Sequence, residues 1–313
     1  MKIIFMGTPD FSVGPLEALI EAGHEILLVV TQPDKKKGRG KEVQYPPVKE
    51  CALKHGIEVF QPIKIKTEDA VSKLKEYDAD VFVVVAFGQL LSQEILDMPK
   101  YACINIHASL LPKYRGAAPI QRVIIDGEKE TGVTTMRMDI GLDTGEMMLK
   151  EAVAIDEKET GETLHDKLSA VGSSLIVKTL DLLEKDEITF EKQDDSLSCY
   201  AKMLNKELGH IDWNKSAVEI ERLIRGLNSW PSAYTSFQGK TLKLWDADVR
   251  KYEDADLQNK TPGTVVEVTK EEIVVVCGSD LLVLREVQLE GKKRMTVKEF
   301  LLGRSIEIGT VLG

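Results

Sequence analysis

In the stretch Asp80-Val81-Phe82-Val83-Val84-Val85-Ala86 every residue after Asp80 is apolar, and most are β-branched. A strand with one wet face alternates polar and apolar residues, whereas a parallel strand covered on both faces does not. Ile3 to Met6, Ile26 to Val30 and Ala102 to Ile106 share this buried character. Helical patterns separate them. One carries Leu16, Leu19 and Ile20 on a single face and ends near Gly23, and others lie around Val48 to His55 and Glu68 to Glu76. Strand and helix therefore alternate, which predicts a doubly wound, Rossmann-like α/β domain whose ligands bind beyond the carboxyl ends of its strands. Thr160 to Glu184 reads as one long amphipathic helix closing that domain, with Leu164, Leu168, Val171 and Leu175 at helical spacing.

The pattern changes class further along. Residues 188–205 are polar and weakly patterned, including Lys192-Gln193-Asp194-Asp195-Ser196, and read as a linker. After a helix around Ala217 to Arg225, short strands recur: Ala233 to Phe237, Leu242 to Ala247, Gly263 to Val268, Ile273 to Cys277 and Leu281 to Gln288. Short strands at this spacing predict a small OB-like β-barrel or sandwich. The expected organisation is a catalytic domain over 1–187, a linker over 188–205 and a barrel over 206–313.

A chain of 313 residues is long enough for two such domains. Its net charge of -10 argues against a surface coated everywhere with Lys and Arg, so any nucleic-acid contact must be local. Residues 206–313 are nearly neutral, with 16 basic against 17 acidic side chains, and include the cluster Lys292-Lys293-Arg294. Cys51, Cys103, Cys199 and Cys277 are far apart and contain no CxxC; reduced thiols and no metal are expected. The N-terminus runs straight into a strand and leaves no room for a signal peptide, and the longest apolar run, Val81 to Phe87, is too short to span a bilayer. A cytoplasmic protein without membrane contact is expected. No exposed apolar seam is evident, so a monomer is expected too.

Three polar elements stand at strand ends. The turn Gly7-Thr8-Pro9-Asp10 occupies the place of a dinucleotide-binding loop without matching GxGxxG, which removes the main support for a nicotinamide or flavin cofactor. Asn105 and His107 end the fourth strand with one residue between them, so they project from one face. Buried unpaired, each would cost about 1–3 kcal/mol, so they are hydrogen-bonded for structure or functional. Asp139-Ile140-Gly141-Leu142-Asp143-Thr144-Gly145 forms a tight loop after a strand over Val133 to Met138; alone it is equally a plain Asx turn. Together Asn, His and Asp make an acyl-transfer set: an amide donor for an oxyanion, an imidazole beside it and a carboxylate that orients the ring or accepts a proton. Lys35-Lys36-Lys37-Gly38-Arg39-Gly40-Lys41 is a basic, glycine-containing loop, either a solvated segment or one that orders on phosphates.

These motifs resemble the 10-formyltetrahydrofolate-dependent formyltransferases, most closely the bacterial branch acting on methionyl-tRNA. Ser109-Leu110-Leu111-Pro112, continuing to Ile120, looks like their folate-site signature, and Asn105, His107 and Asp143 match their catalytic triad. Gly7 to Phe11, Thr31 to Asp34, Gly226-Leu227-Asn228 and Pro231 extend the match along the chain. The resemblance implies transfer of formyl from 10-formyltetrahydrofolate to the α-amino group of methionine on initiator tRNA, by direct amine attack through a tetrahedral oxyanion. It implies that Ser109, Leu110, Leu111 and Pro112 line the folate site, with backbone near Phe87, Gly88 and Gln89 on the pterin. It further implies that Lys35, Lys36, Lys37, Arg39 and Lys41 enter the acceptor stem, while the barrel contacts the tRNA backbone. A formyltransferase for a ribonucleotide or sugar amine would share the triad without needing the basic loop and barrel. A tRNA-binding module on an inactive scaffold would not need the triad.

Overall fold

The computed structural model describes residues 1–37, 42–252 and 260–313. They form two compact units: residues 1–119, 130–154 and 165–201, then residues 120–129, 155–164 and 202–313.

Strands of the first unit are β1 (Lys2–Gly7), β2 (Glu25–Val30), β3 (Lys35–Lys37), β4 (Glu42–Gln44), β5 (Val59–Phe60), β6 (Val81–Val85), β7 (Ala102–His107), β8 (Arg115–Gly116), β9 (Glu130–Arg137), β10 (Met147–Ala154) and β11 (Tyr200–Ala201). Its helices are α1 (Val13–Glu21), α2 (Pro47–Lys54), α3 (Glu68–Lys75) and α4 (Gln93–Leu96). Helix α5 (Pro119–Asp126) falls almost wholly in the second unit, and α6 (Gly161–Glu184) enters the first at His165.

Seven strands form one sheet in the order β10-β9-β7-β6-β1-β2-β5. The segment from β7 to β5 is parallel, and β9 and β10 add antiparallel strands beyond β7. Chain order reverses at β1, which has β2 on one side and β6 on the other. The switch point therefore opens above Gly7 and Val85, where ligands of such sheets bind. Ile4, Met6, Leu28, Val30, Phe82 and Val84 pack on one face against Val71, Leu74 and Ile95. Each large apolar side chain removed from water this way contributes about 1.5–3 kcal/mol. On the opposite face α6 comes close enough at Gly172 that a Cβ there would lie 3.1 Å from Ile106. That contact fixes the strand carrying Asn105 and His107 from behind. Residues 188–201, which suggested a linker, lie within this unit; Glu191 bridges Met147, and β11 pairs with β8.

The second unit holds α7 (Ala217–Gly226), β12 (Ala233–Phe237), β13 (Lys240–Arg250), β14 (Val265–Val268), β15 (Ile273–Val276), β16 (Leu281–Leu289), β17 (Met295–Thr296) and α8 (Val297–Gly303). The expected barrel takes the form of a six-stranded antiparallel sheet, β12-β13-β16-β15-β14 with β17 beside β16. Two register shifts around Asp246 bend β13, as bulges do. Ile220 and Ile224 of α7 share a core with Leu242, Leu244, Leu282 and Leu284. Both α7 and α8 begin with capping boxes, Ser216 with Glu219 and Thr296 with Glu299. Among the described residues no helix is long and apolar enough to cross a membrane. Cys51, Cys103 and Cys277 are buried free thiols, and Cys199 is exposed.

Candidate active site

Asn105 and His107 leave β7 on the same face, both buried; Val84 of β6 and Met136 of β9 flank Asn105, and Thr134 lies opposite His107. His107 Nε2 is 2.8 Å from the carbonyl oxygen of Tyr114. A carbonyl only accepts, so Nε2 carries a hydrogen and, among the described residues, Nδ1 is the ring nitrogen left without a backbone partner. That nitrogen faces Asp143 Oδ2 at 3.7 Å. The Gly116 N–H donates to the same oxygen at 2.8 Å. Among the described residues the Asn105 amide makes no side-chain hydrogen bond, and both its donors remain available.

The loop that supplies Asp143 is held from beneath. Gln193 Nε2 donates to the carbonyls of Asp143 and Gly145, each at 2.8 Å, while Arg115 Nε donates to Gln193 Oε1 at 2.9 Å. Asp143 has φ 54°, and a Cβ at Gly145 would lie 1.8 Å from the Arg137 carbonyl, so the loop closes tightly on its own strand. Asp143 therefore reaches His107 through a backbone fixed at three points.

Ser109 to Pro112 makes a turn with an inward side. Ser109 Oγ donates to the Lys113 carbonyl at 2.6 Å, and Thr134 Oγ1 donates to the Ser109 carbonyl at 2.7 Å while accepting from the Leu111 N–H at 3.1 Å. Ser109 and Leu111 are buried, the latter against Met136 and Met147, whereas Leu110 and Pro112 are partly exposed. Phe87 is a core residue whose carbonyl accepts from Thr8 and Gln32. Gly88 is exposed at φ 82°, and the Gln89 side chain bonds the backbone of Pro62 and Ile65. A cavity of about 40 Å³ lies beside these residues, lined by Gln89, Leu91, Met136, Met138 and the Asp139 to Asp143 loop.

Lys35, Lys36 and Lys37 form β3, paired antiparallel with β4, and Lys35 is exposed. Arg39 and Lys41 lie outside the described residues, as do the side chains of Lys36 and Lys37. At the base of the hairpin Lys49 is tied to Asp34 at 2.7 Å and to Gln61 at 2.8 Å. Hydrogen bonds from Gln61 and Lys49 hold the Asp34 carboxyl below its usual range. In the second unit Arg294 bonds Glu286 and stacks over Trp245, with Lys243 also near that ring.

Comparison with known proteins places this geometry. Residues 1–180 match the formyl transferase family, and residues 203–305 match the formyl transferase C-terminal domain. The methionyl-tRNA formyltransferase of Agathobacter rectalis is 57% identical over 310 residues, covering 99% of both chains. That of Geobacter sulfurreducens is 50% identical over 313 residues, covering all of this chain and 97% of its own. The chain belongs to the methionyl-tRNA formyltransferase family. Among solved structures, a Helicobacter canadensis N-formyltransferase in complex with folinic acid and dTDP-3-aminofucose aligns over 91% of this chain and 99% of its own. Its TM-score is 0.64 at 20% identity, which establishes the shared fold. Phosphoribosylglycinamide formyltransferase from Bacillus halodurans aligns over 60% of this chain and 97% of its own, with TM-score 0.51 and 29% identity.

Some partners in this formyltransferase site were invisible in the sequence. Gly116 sits inside the folate-site signature, but nothing in the letters assigns its N–H to Asp143. Tyr114 acts through its carbonyl, which every residue has. Gln193 falls in the polar stretch without periodicity. A single buried glutamine among charged neighbours was the only signal, and it emerges only with the fold.

Proposed function

We infer that this chain, as a member of the family, passes the formyl group of 10-formyltetrahydrofolate to the α-amino group of methionine on methionyl-tRNA. On this reading Asn105, His107 and Asp143 carry the transfer, and the placement of His107 between the Tyr114 carbonyl and the Asp143 carboxylate is the observation that supports it most. An α-amino group with pKa near 8 is partly neutral at cytosolic pH and able to attack. The amine nitrogen bonds to the formyl carbon, and negative charge gathers on the formyl oxygen. Asn105 donates its free amide N–H to that oxygen. His107 takes the proton shed by the attacking nitrogen at Nδ1, the one ring atom not already bonded, and Asp143 stabilises the resulting imidazolium. The bond from the formyl carbon to N10 breaks as N10 takes up the proton held on His107, which restores the imidazole and leaves formylmethionyl-tRNA and tetrahydrofolate.

The donor would lie along Leu110 and Pro112, with Ser109 and Leu111 shaping the turn from within and the backbone near Phe87 to Gln89 reaching the pterin. A pocket for such a ligand typically needs about 300–1,000 Å³. The cavity beside Asp143, lined in part by the exposed Ile140 and Leu142, is much smaller. On this reading residues 1–187 carry the chemistry and 206–313 contact tRNA. Residues 188–205 connect them and brace the Asp143 loop through Gln193. Lys35, Lys36, Lys37, Arg39 and Lys41 meet the phosphates of the initiator acceptor stem. Initiator tRNA is used where ribosomes begin chains, so the reading places the enzyme in the cytoplasm, acting as a monomer away from membranes. Incubation with 10-formyltetrahydrofolate and charged initiator tRNA, with a nucleotide-linked amino sugar and glycinamide ribonucleotide as competitors, tests the reading. Formylmethionyl-tRNA is the expected product; turnover of either small amine in its place would contradict it.

A further inference from the structure

Helices α1 and α2 bring three ligand-bearing side chains together at one corner of the first unit, apart from the residues of the reaction. Glu17 lies on α1, Cys51 on α2, and His55 one turn later at the C-cap of α2. Cys51 Sγ donates to Glu17 Oε1 at 3.2 Å, and His55 Nε2 lies 2.7 Å from Glu17 Oε2. The sulfur, the imidazole nitrogen and a carboxylate oxygen all fall within 4.8 Å of one another. Zinc bonds sulfur at about 2.3 Å and nitrogen or oxygen at about 2.0–2.2 Å, so its tetrahedral ligands stand roughly 3.3–3.7 Å apart. Closing this set on an ion needs movements of about 1 Å or less. Glu17 and His55, 36% and 35% exposed, have the freedom to make them, and the open side leaves room for water as a fourth ligand.

We propose that Glu17, Cys51 and His55 bind a divalent ion of the zinc class, with water completing a tetrahedron. Mixed sulfur, nitrogen and oxygen donors select zinc over magnesium or calcium, which want oxygen alone. Burial and the Glu17 carboxylate push the Cys51 thiol up to about 12, while Lys54 opposes them. A bound cation would displace the thiol proton and pair with both the thiolate and the Glu17 carboxylate. The ion staples α1 to α2, the helix that directly follows the β3–β4 hairpin, and takes no part in formyl transfer.

Titration of the reduced, metal-stripped full-length protein with Co²⁺, as a coloured substitute for Zn²⁺, tests the site. One equivalent should saturate it and produce a thiolate-to-cobalt charge-transfer band that Zn²⁺ abolishes. The band should disappear in Cys51→Ser and persist in Cys199→Ser, which removes the exposed thiol. His55→Ala, a change at a partly exposed position, should weaken binding by at least roughly tenfold. Added Zn²⁺ should raise the Tm of the wild type and not that of His55→Ala. Absence of a saturable band, a band surviving Cys51→Ser, or equal affinity and equal Tm shifts in His55→Ala would each overturn the proposal.

Discussion

With the Nε2 hydrogen of His107 committed to the Tyr114 carbonyl, the ring accepts a proton only at Nδ1, toward Asp143. In the proposed mechanism the role of His107 is set by a backbone oxygen seven residues along and by the placement of one carboxylate. Gly116 controls that placement. It holds φ 107° while its N–H meets Asp143, and a Cβ there would lie 2.4 Å from the Tyr200 ring and 2.9 Å from the Ala201 carbonyl. Gly116→Ala should therefore destabilise the fold by about 1–3 kcal/mol and lower kcat as Asp143 shifts. Denaturant midpoints and steady-state rates check it; unchanged values in both would show that Gly116 does not position the carboxylate. Asn105 and His107 stood out as letters because polar residues ending a buried strand demand a reason, whereas the Asp143 loop alone read equally as an Asx turn. Gln193 was not, because its partners Arg115 and Asp143 are 78 and 50 positions away and no local pattern records them.

At the scale of elements, continuous apolar runs announced β1, β2, β6 and β7, since a strand buried on both faces has no polar phase to hide behind. Strand β5, only two residues long, left no pattern, and β10, at the sheet edge, is interrupted by the adjacent charges Lys150 and Glu151. Helix α8 went unread although Thr296 and Glu299 spell its capping box. Charge is organised at this scale as well. Asp248 of β13 bonds Lys158 and Arg285 of β16, and Glu272, just before β15, bonds Arg250 of β13 and Arg285. Lys158 and Arg285 hold the Asp248 carboxyl below its usual range; Arg250 and Arg285 do the same for Glu272. A depressed carboxyl binds fewer protons folded than unfolded, so its stabilisation is present above the unfolded pKa near 4 and disappears as pH falls through the lower folded value. Between about pH 5 and pH 3 the wild-type Tm should fall more steeply than that of Asp248→Asn/Glu272→Gln. Parallel acid limbs would remove these carboxyls from the acid sensitivity.

For the molecule as a whole, alternation of strand and helix followed by recurring short strands gave both architectures, and a match over essentially the full chain joins them in one family. Segment boundaries were less legible. Residues 120–129 and 155–164 group with the second unit through contacts that no local pattern encodes. A chain carrying -10 overall must meet tRNA through local positive charge. Arg39→Ala should raise KM for tRNA and reduce the salt dependence of binding by about one unit of log–log slope, with KM for the folate donor unchanged. An unchanged salt slope would take the loop out of phosphate contact. The transfer site itself is tested most directly by single-turnover formylation of initiator methionyl-tRNA at saturating donor, comparing the wild type with Asn105→Ala. Loss of an oxyanion donor should slow transfer by about 10²–10³ while tRNA affinity stays the same. Equal transfer rates, or a defect confined to tRNA affinity, would contradict the assignment of Asn105 to the developing oxyanion.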